Sequence, residues 1–376
     1  MINTKLSINI KPCNVINDVI LYELNKKEFN LTYISSLVKC GADVNIRNKY
    51  GNTVLNLAAD NGLVKFVDEF IKAGANINNQ NNNMVTALIV AASNGHNKVI
   101  DRLIKAGADT NLKNKDGNTA LIFAAYNGNE EIIDILIKAG VDINHQNKDG
   151  NTALMAAADK GYYTIVDILI KAGADINIQN KDGNTALIFT TTEGHDAIVD
   201  ILIEAGADIN IQNKDGNTTL IIGTCMKYDI IIYILIEAGV DINIQNLYGN
   251  SALIIAADKG YNIIASMLIK AGANINIQNK DGHTALIAAI DKRQYNLTNI
   301  LIKAGADTNI QNTYGNTALI LAVDRNYETI VDFLIKSGAD INVKNKDGIT
   351  ALILAVDRNY GILTNILTDA GFVTVK

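Results

Sequence analysis

The chain has 376 residues, 48% of them hydrophobic and 19% charged, with a net charge of −6. This aliphatic richness excludes a disordered chain. The acidic balance argues against a general nucleic-acid binder, which needs a basic surface to displace counterions from phosphates. Three cysteines, Cys13, Cys40 and Cys225, are too few and too scattered for a disulfide framework or a zinc site. That usage points to a reducing, intracellular setting, the cytoplasm.

Met1 to Cys13 lacks the apolar core of a signal peptide. The longest aliphatic run, Ile230 to Ile236, ends at Glu237, far short of the roughly 20 apolar residues that span a bilayer. No membrane partner is expected. Val15 to Leu24 predicts a first helix, followed by Asn25, Lys26, Lys27 and Glu28. A polar outer face of this kind suits the terminal unit of a stack. Leu37 to Asn45 reads as the second half of that unit.

From Gly51 onward the chain repeats. The phrase Asp-Gly-Asn-Thr-Ala-Leu recurs around Gly51, Met84, Gly117, Gly150, Gly183, Gly216, Gly249, Gly282, Gly315 and Gly348, every interval being 33 residues. A Leu always follows four places later, from Leu55 to Leu352. A fixed period of this size is the signature of stacked supersecondary units. At the glycine position only the turn Asn81 to Val85, with Met84 there, departs from the pattern.

The unit 150–182 shows how one repeat works. Thr152 is a helix N-cap. Leu154, Ala157 and Ala158 give a short first helix with a small apolar face, which lets neighbouring helices approach closely. Gly161 ends it in a left-handed conformation. Ile165, Val166, Ile168, Leu169 and Ile170 recur at helical spacing and predict a second helix, stopped at Gly173. Asp175 to Gly183 then predicts an Asn-rich, hairpin-like loop closed by Asp-Gly. Asn and Ile are abundant throughout, a bias that AT-rich codons would produce and that was read as bearing on origin rather than function.

The expected organisation is 1–50, an N-terminal segment and capping unit; 51–347, nine repeats; and 348–376, a truncated C-terminal capping repeat. In that last repeat the second helix reads Ile362 to Ala370, with Thr364, Asn365, Thr368 and Asp369 at places more apolar elsewhere. Ile353 and Val356 stay apolar. They are expected to be buried within their own repeat of a monomeric chain. The alternative is a weak self-association surface.

These residues carry a resemblance. Lys181-Asp182-Gly183-Asn184-Thr185-Ala186-Leu187, followed by Ala205-Gly206-Ala207-Asp208-Ile209-Asn210, resembles the ankyrin repeat family over about 18–376. Two departures are systematic. Ala87, Ala120 and Ala153 stand where the family has Pro, and Ile89, Ile122 and Ile188 where it has His. The Asn- and Ile-rich units also look like ankyrin proteins of giant DNA viruses. The resemblance implies an all-α solenoid of helix-turn-helix units with projecting turns. It implies a scaffold, not an enzyme, that binds a partner protein through its concave groove, a host protein if the origin is viral. End-to-end self-assembly is the alternative. It also implies that asparaginyl hydroxylases could modify Asn45 and Asn177, each with a Leu eight residues earlier (Leu37, Leu169).

Chemistry is not legible in the pattern. His96, His145, His195 and His283 have no second ligand at metal spacing. Cys225 has no base placed for nucleophilic activation. No phosphate-cradling glycine loop occurs, and no cofactor is expected.

Partner contacts are expected at turn tips and on first-helix positions after Ala-Ala. Tyr50, Tyr248 and Tyr314 replace the tip Asp, and tyrosines are enriched at interfaces. The first-helix positions run Tyr126-Asn127, Asp159-Lys160, Thr192-Glu193, Cys225-Met226 and Asp258-Lys259. An Asp/basic alternation then continues to Asp357-Arg358 and reads as a solvated face. Phe189 to Glu193 and Gly223 to Lys227 abandon Ala-Ala, and Lys227 replaces a turn glycine. The repeats at Gly183 and Gly216, with Tyr126 and Tyr248 beside them, are the expected binding centre, with neutral drift as the alternative.

Overall fold

A computed structural model describes residues 12–26 and 28–373, with residues 12–14, 372 and 373 described in backbone only. Among the described residues there are 22 helices and no strand. The chain divides into two compact units, Met1–Lys181 and Asp182–Lys376. Within each unit the first helices of successive repeats pack side by side in one layer, and the second helices in another.

The two helices of a repeat are stabilised differently. The first helix Ala153–Asp159 is capped by Thr152, whose hydroxyl accepts the Met155 N–H at 3.2 Å. Every first helix from Val54–Asp60 to Ala351–Asp357 has such a Thr or Ser cap. Each cap is worth about 1 kcal/mol. The second helix Tyr163–Lys171 has no side-chain cap and is held by its buried face of Ile165, Val166 and Leu169. It ends as the sequence predicts. Gly173 is left-handed, and the Ala174 N–H returns to the Leu169 carbonyl at 3.0 Å.

The hairpin-like loop is a tight turn without strand pairing, and it is wired by asparagine. Asn147 Oδ1 accepts from the N–H groups of Asp149 and Asn151, both at 2.9 Å. Asn147 Nδ2 donates to Asn118 Oδ1 of the preceding repeat at 2.8 Å. Asn144 Oδ1 accepts the Asp175 N–H at 2.8 Å, and Gln146 Nε2 bonds the carbonyls of Gly150 and Gln179. The Lys148 N–H closes the junction on the Asp116 carbonyl at 2.9 Å. The same bonds recur in the second unit, for example around Gln245, Asn246 and Asn279. A codon bias therefore does not account for these asparagines, because their amides link one repeat to the next. The irregular turn Asn81–Val85 keeps the pattern too, with Met84 taking the left-handed conformation of the missing glycine (φ 61°).

At the ends, the first helix spans Pro12–Leu24, three residues earlier than expected. Pro suits a first helical position because no N–H is required there. The last helix, Gly361–Val373, outruns the expected Ile362 to Ala370. Ile353 and Val356 are 43% and 53% exposed, so their expected burial within the repeat does not occur. One repeat covers only part of its own apolar face. The equivalent Ile320 and Val323 are buried with the helix Ala351–Asp357 packed beside theirs.

Candidate functional site

In the first unit the first helices and the turns border an open cavity. Leu57, Asp60 and Val90 line it with Asn52, Asn81 and Val85. Leu57 and Val90 lie four residues after their capping Thr, the position taken by Phe189, Ile222 and Ile255 in the second unit. Phe189 is half-buried, and Ile222 and Ile255 are buried. One helical turn further on, on the same face, come Thr192, Cys225 and Asp258. On this face an apolar row is thus followed by a polar one. Sequence reasoning found the polar row and missed the apolar one. The signal was there, an aliphatic or aromatic residue directly after Thr-Ala-Leu-Ile.

In the first unit the named positions are engaged locally. Asn127 donates to the Ser93 carbonyl at 2.8 Å. The Tyr126 ring lies 4.7 Å beneath the Lys160 ammonium, and Lys160 is also paired with Asp159 at 2.9 Å. In the second unit the Asp/basic alternation forms an inter-repeat ladder on a solvent-exposed face. Asp258 pairs with Lys292, Asp291 with Arg325 and Asp324 with Arg358, at 3.4, 2.7 and 2.7 Å. Each basic residue reaches back 34 positions, so every rung joins adjacent repeats.

By the same offset Cys225 stands opposite Lys259, and the acidic partner is missing there. Burial pushes the Cys225 thiol up, and the charge of Lys259 offsets part of that. A nucleophilic cysteine needs the opposite shift. Glu193 and Met226 are exposed, and the Thr192 hydroxyl bonds its own helix at Ile188. At the turn tips Tyr248 and Tyr314 project with about two-thirds of their surface exposed, beside Leu247 in the first case.

The centre's departures from Ala-Ala lie in the packed interior. Thr190, Thr191 and Thr224 are fully buried. Thr190 and Thr224 bond helix carbonyls, and a methyl group at Gly223 would meet Thr191 Cγ2 at 3.7 Å. That is an ordinary contact distance, so space alone does not require glycine at 223. These four residues face the core. Lys227 takes the left-handed turn conformation (φ 62°) and holds its ammonium 5.3 Å from the Tyr261 ring.

The histidines are structural where their bonds are described. His96 Nε2 meets the Asp60 carbonyl, His145 Nε2 the Gly117 carbonyl and His283 Nε2 the Asn312 amide. Among the described residues no group of three or more His, Cys, Asp or Glu is placed to hold a metal. No described helix is long and apolar enough to cross a membrane. Asn45 and Asn177 lie exposed in their loops. Asn45 Oδ1 accepts the Asn76 N–H at 2.7 Å, and Asn177 donates its own N–H to Asp175.

No curated protein matches the chain. A family model described as ankyrin repeats (3 copies) matches residues 25–114, 88–180, 172–246, 231–312 and 294–375. Repeats of this kind are protein-interaction modules. With a capped short helix, a packed second helix and an inter-repeat turn at each step, the chain belongs to the ankyrin repeat family.

Proposed function

We propose that the chain is a non-enzymatic scaffold whose second unit binds a partner protein along the groove of the Gly183 and Gly216 repeats. The observation that carries this is the end of the ion-pair ladder. Asp258, Asp291 and Asp324 are each paired with the basic residue of the next repeat. At Thr192-Glu193 and Cys225-Met226 the aspartate of that pair is missing. There an apolar row of Phe189 and Ile222 lies beside an exposed carboxylate and an exposed thioether. Apolar centres with polar rims are what protein interfaces use. Tyr248 and Tyr314 extend the surface at the tips.

The test is affinity capture from host cells, run beside the variant Glu193→Ala, Met226→Ala, Tyr248→Ala. One protein held by the parent, released by the variant and bound again with purified components supports the groove. Equal capture by both removes it. The resemblance to giant-virus proteins favours a host protein as partner, within the cytoplasm. Asn45 and Asn177 are proposed hydroxylation sites, and a +16 Da species after co-expression with an asparaginyl hydroxylase is the result expected. A second reading, end-to-end self-association, is favoured by the exposure of Ile353 and Val356. A constant sedimentation coefficient over a wide concentration range would exclude it.

A further inference from the structure

The second helices carry a different surface, on the side away from the first helices. In Asp229–Glu237 the buried face is Ile231, Ile232 and Leu235. Ile230 and Tyr233 point away from it, 62% and 57% exposed. Three residues apart on a helix, they are neighbours on one face. Ile263, 67% exposed, occupies the Ile230 position in the adjoining helix Asn262–Lys270. Adjoining helix axes lie about 8–10 Å apart, so the three side chains form one apolar patch. In the other repeats these positions are polar or small, as Thr164, Asp167, Ala197 and Asp200 show, except at Ile362, whose neighbour one turn on is Asn365 rather than an aromatic residue.

The charge around the patch is also anomalous. The helices Asp196–Glu204 and Asp229–Glu237 carry five carboxylates, Asp196, Asp200, Glu204, Asp229 and Glu237, and no basic residue. In most other repeats Lys ends the second helix, and in three it pairs with the Asp four residues earlier: Lys105 with Asp101 at 2.7 Å, and Lys171 with Asp167 and Lys336 with Asp332, both at 2.6 Å. Glu204 and Glu237 instead put negative charge at helix C-termini, where the dipole disfavours it. Neither the exposed apolar side chains nor these glutamates serve the stability of the stack.

We infer that this patch is a second docking surface, separate from the groove, and that its occupant is a basic amphipathic helix of a partner protein. Charge complementarity selects that occupant. The apolar face of such a helix covers Ile230, Tyr233 and Ile263, and its lysines or arginines meet the surrounding carboxylates. A second copy of the same face would set five carboxylates against five, with only Lys270 of the Ile263 helix to offset them. An anionic membrane would be repelled by all of them.

The test uses the full chain and a fluorescein-labelled helical peptide of about 18 residues, or five turns, built of Leu and Lys at amphipathic spacing. A matched peptide has Glu in place of Lys. The patch variant is Ile230→Ala, Tyr233→Asp, Ile263→Thr, whose new side chains already occur at these positions in other repeats. The expected result is anisotropy-detected binding of the Lys peptide that weakens at least about tenfold in the patch variant. It weakens in Glu204→Lys, Glu237→Lys and at high salt. It is unchanged in Glu193→Ala, Met226→Ala, so the groove reading stands or falls separately. Equal binding by the patch variant, or equal binding of the Glu peptide, overturns the inference. So does self-association, or attachment to anionic vesicles, that the patch variant abolishes, because each assigns the patch another occupant.

Discussion

At the scale of single residues, the asparagines of the turns do the most for their size. Asn147 satisfies two backbone N–H groups of its own turn and reaches Asn118 in the repeat before. Asn147→Ala should lower unfolding free energy by about 1–3 kcal/mol, the cost of stranding those donors. Lys148→Ala, which keeps the backbone bond to Asp116, should change little. Urea titration of both variants checks this. Glycine matters in the same turn. A methyl group at Gly150 (φ 83°) would lie 2.8 Å from the Lys181 backbone nitrogen, whereas at Gly140 (φ 78°) it would meet nothing within 4 Å. Both Ala substitutions meet left-handed strain of about 1–2 kcal/mol, and Gly150→Ala should cost distinctly more in the same titration. Among cysteines, burial raises Cys225 while Cys40 is exposed. Near neutral pH, iodoacetamide should therefore modify Cys40 before Cys225, as peptide mapping over time would show.

At the scale of elements, the N-terminal helix pair is the acid-sensitive part. Lys26 donates to Glu23 at 2.5 Å and the Asn30 N–H donates to it at 3.1 Å, holding its carboxyl below the usual range despite burial. The Ser35 hydroxyl, with Lys39, does the same for Glu69, which ties Leu31–Lys39 to Val64–Lys72. A depressed carboxylate contributes stability that is present above its unfolded pKa, near 4.3 for Glu, and lost as pH falls through the folded value. Hydrogen exchange, corrected for intrinsic rates, should therefore show these helices opening before the central ones below about pH 4. Glu23→Gln should weaken the first pair at neutral pH and flatten its acid response. The sequence made the helices legible because Thr caps, glycine stops and apolar spacing all agreed. It did not reveal which departures mattered. Thr191 and Glu193 both interrupt the repeat, yet one is fully buried and the other exposed, and only the position of each on its helix in the folded stack separates them.

At the scale of the molecule, stability is a sum of repeats and their junctions. Each helix packs mainly on its immediate neighbours within its unit. Cooperativity in such arrays breaks down when junctions differ in strength. Urea unfolding followed by helix circular dichroism and by tyrosine fluorescence should therefore give non-coincident transitions, and superposition would show the chain to be more cooperative than its contacts imply. The period and the fold class were legible from the first few repeats. The apolar row of the first helices and the Ile230, Tyr233 and Ile263 patch were not. Ile is common enough here that an exposed one looks like a buried one until the helix face is known.

The turn bonds span fixed distances along the chain: 29 residues from Asn147 to Asn118, 31 from Asp175 to Asn144 and 33 from Gln146 to Gln179. Because donor and acceptor types recur at every step, most junctions are interchangeable. An in-frame loss or duplication of one period would rejoin chemically equivalent edges and leave the remaining bonds intact. Unequal recombination could thus lengthen or shorten the gene product without a damaging intermediate, and the reach of its binding surface would be heritable in steps of one repeat.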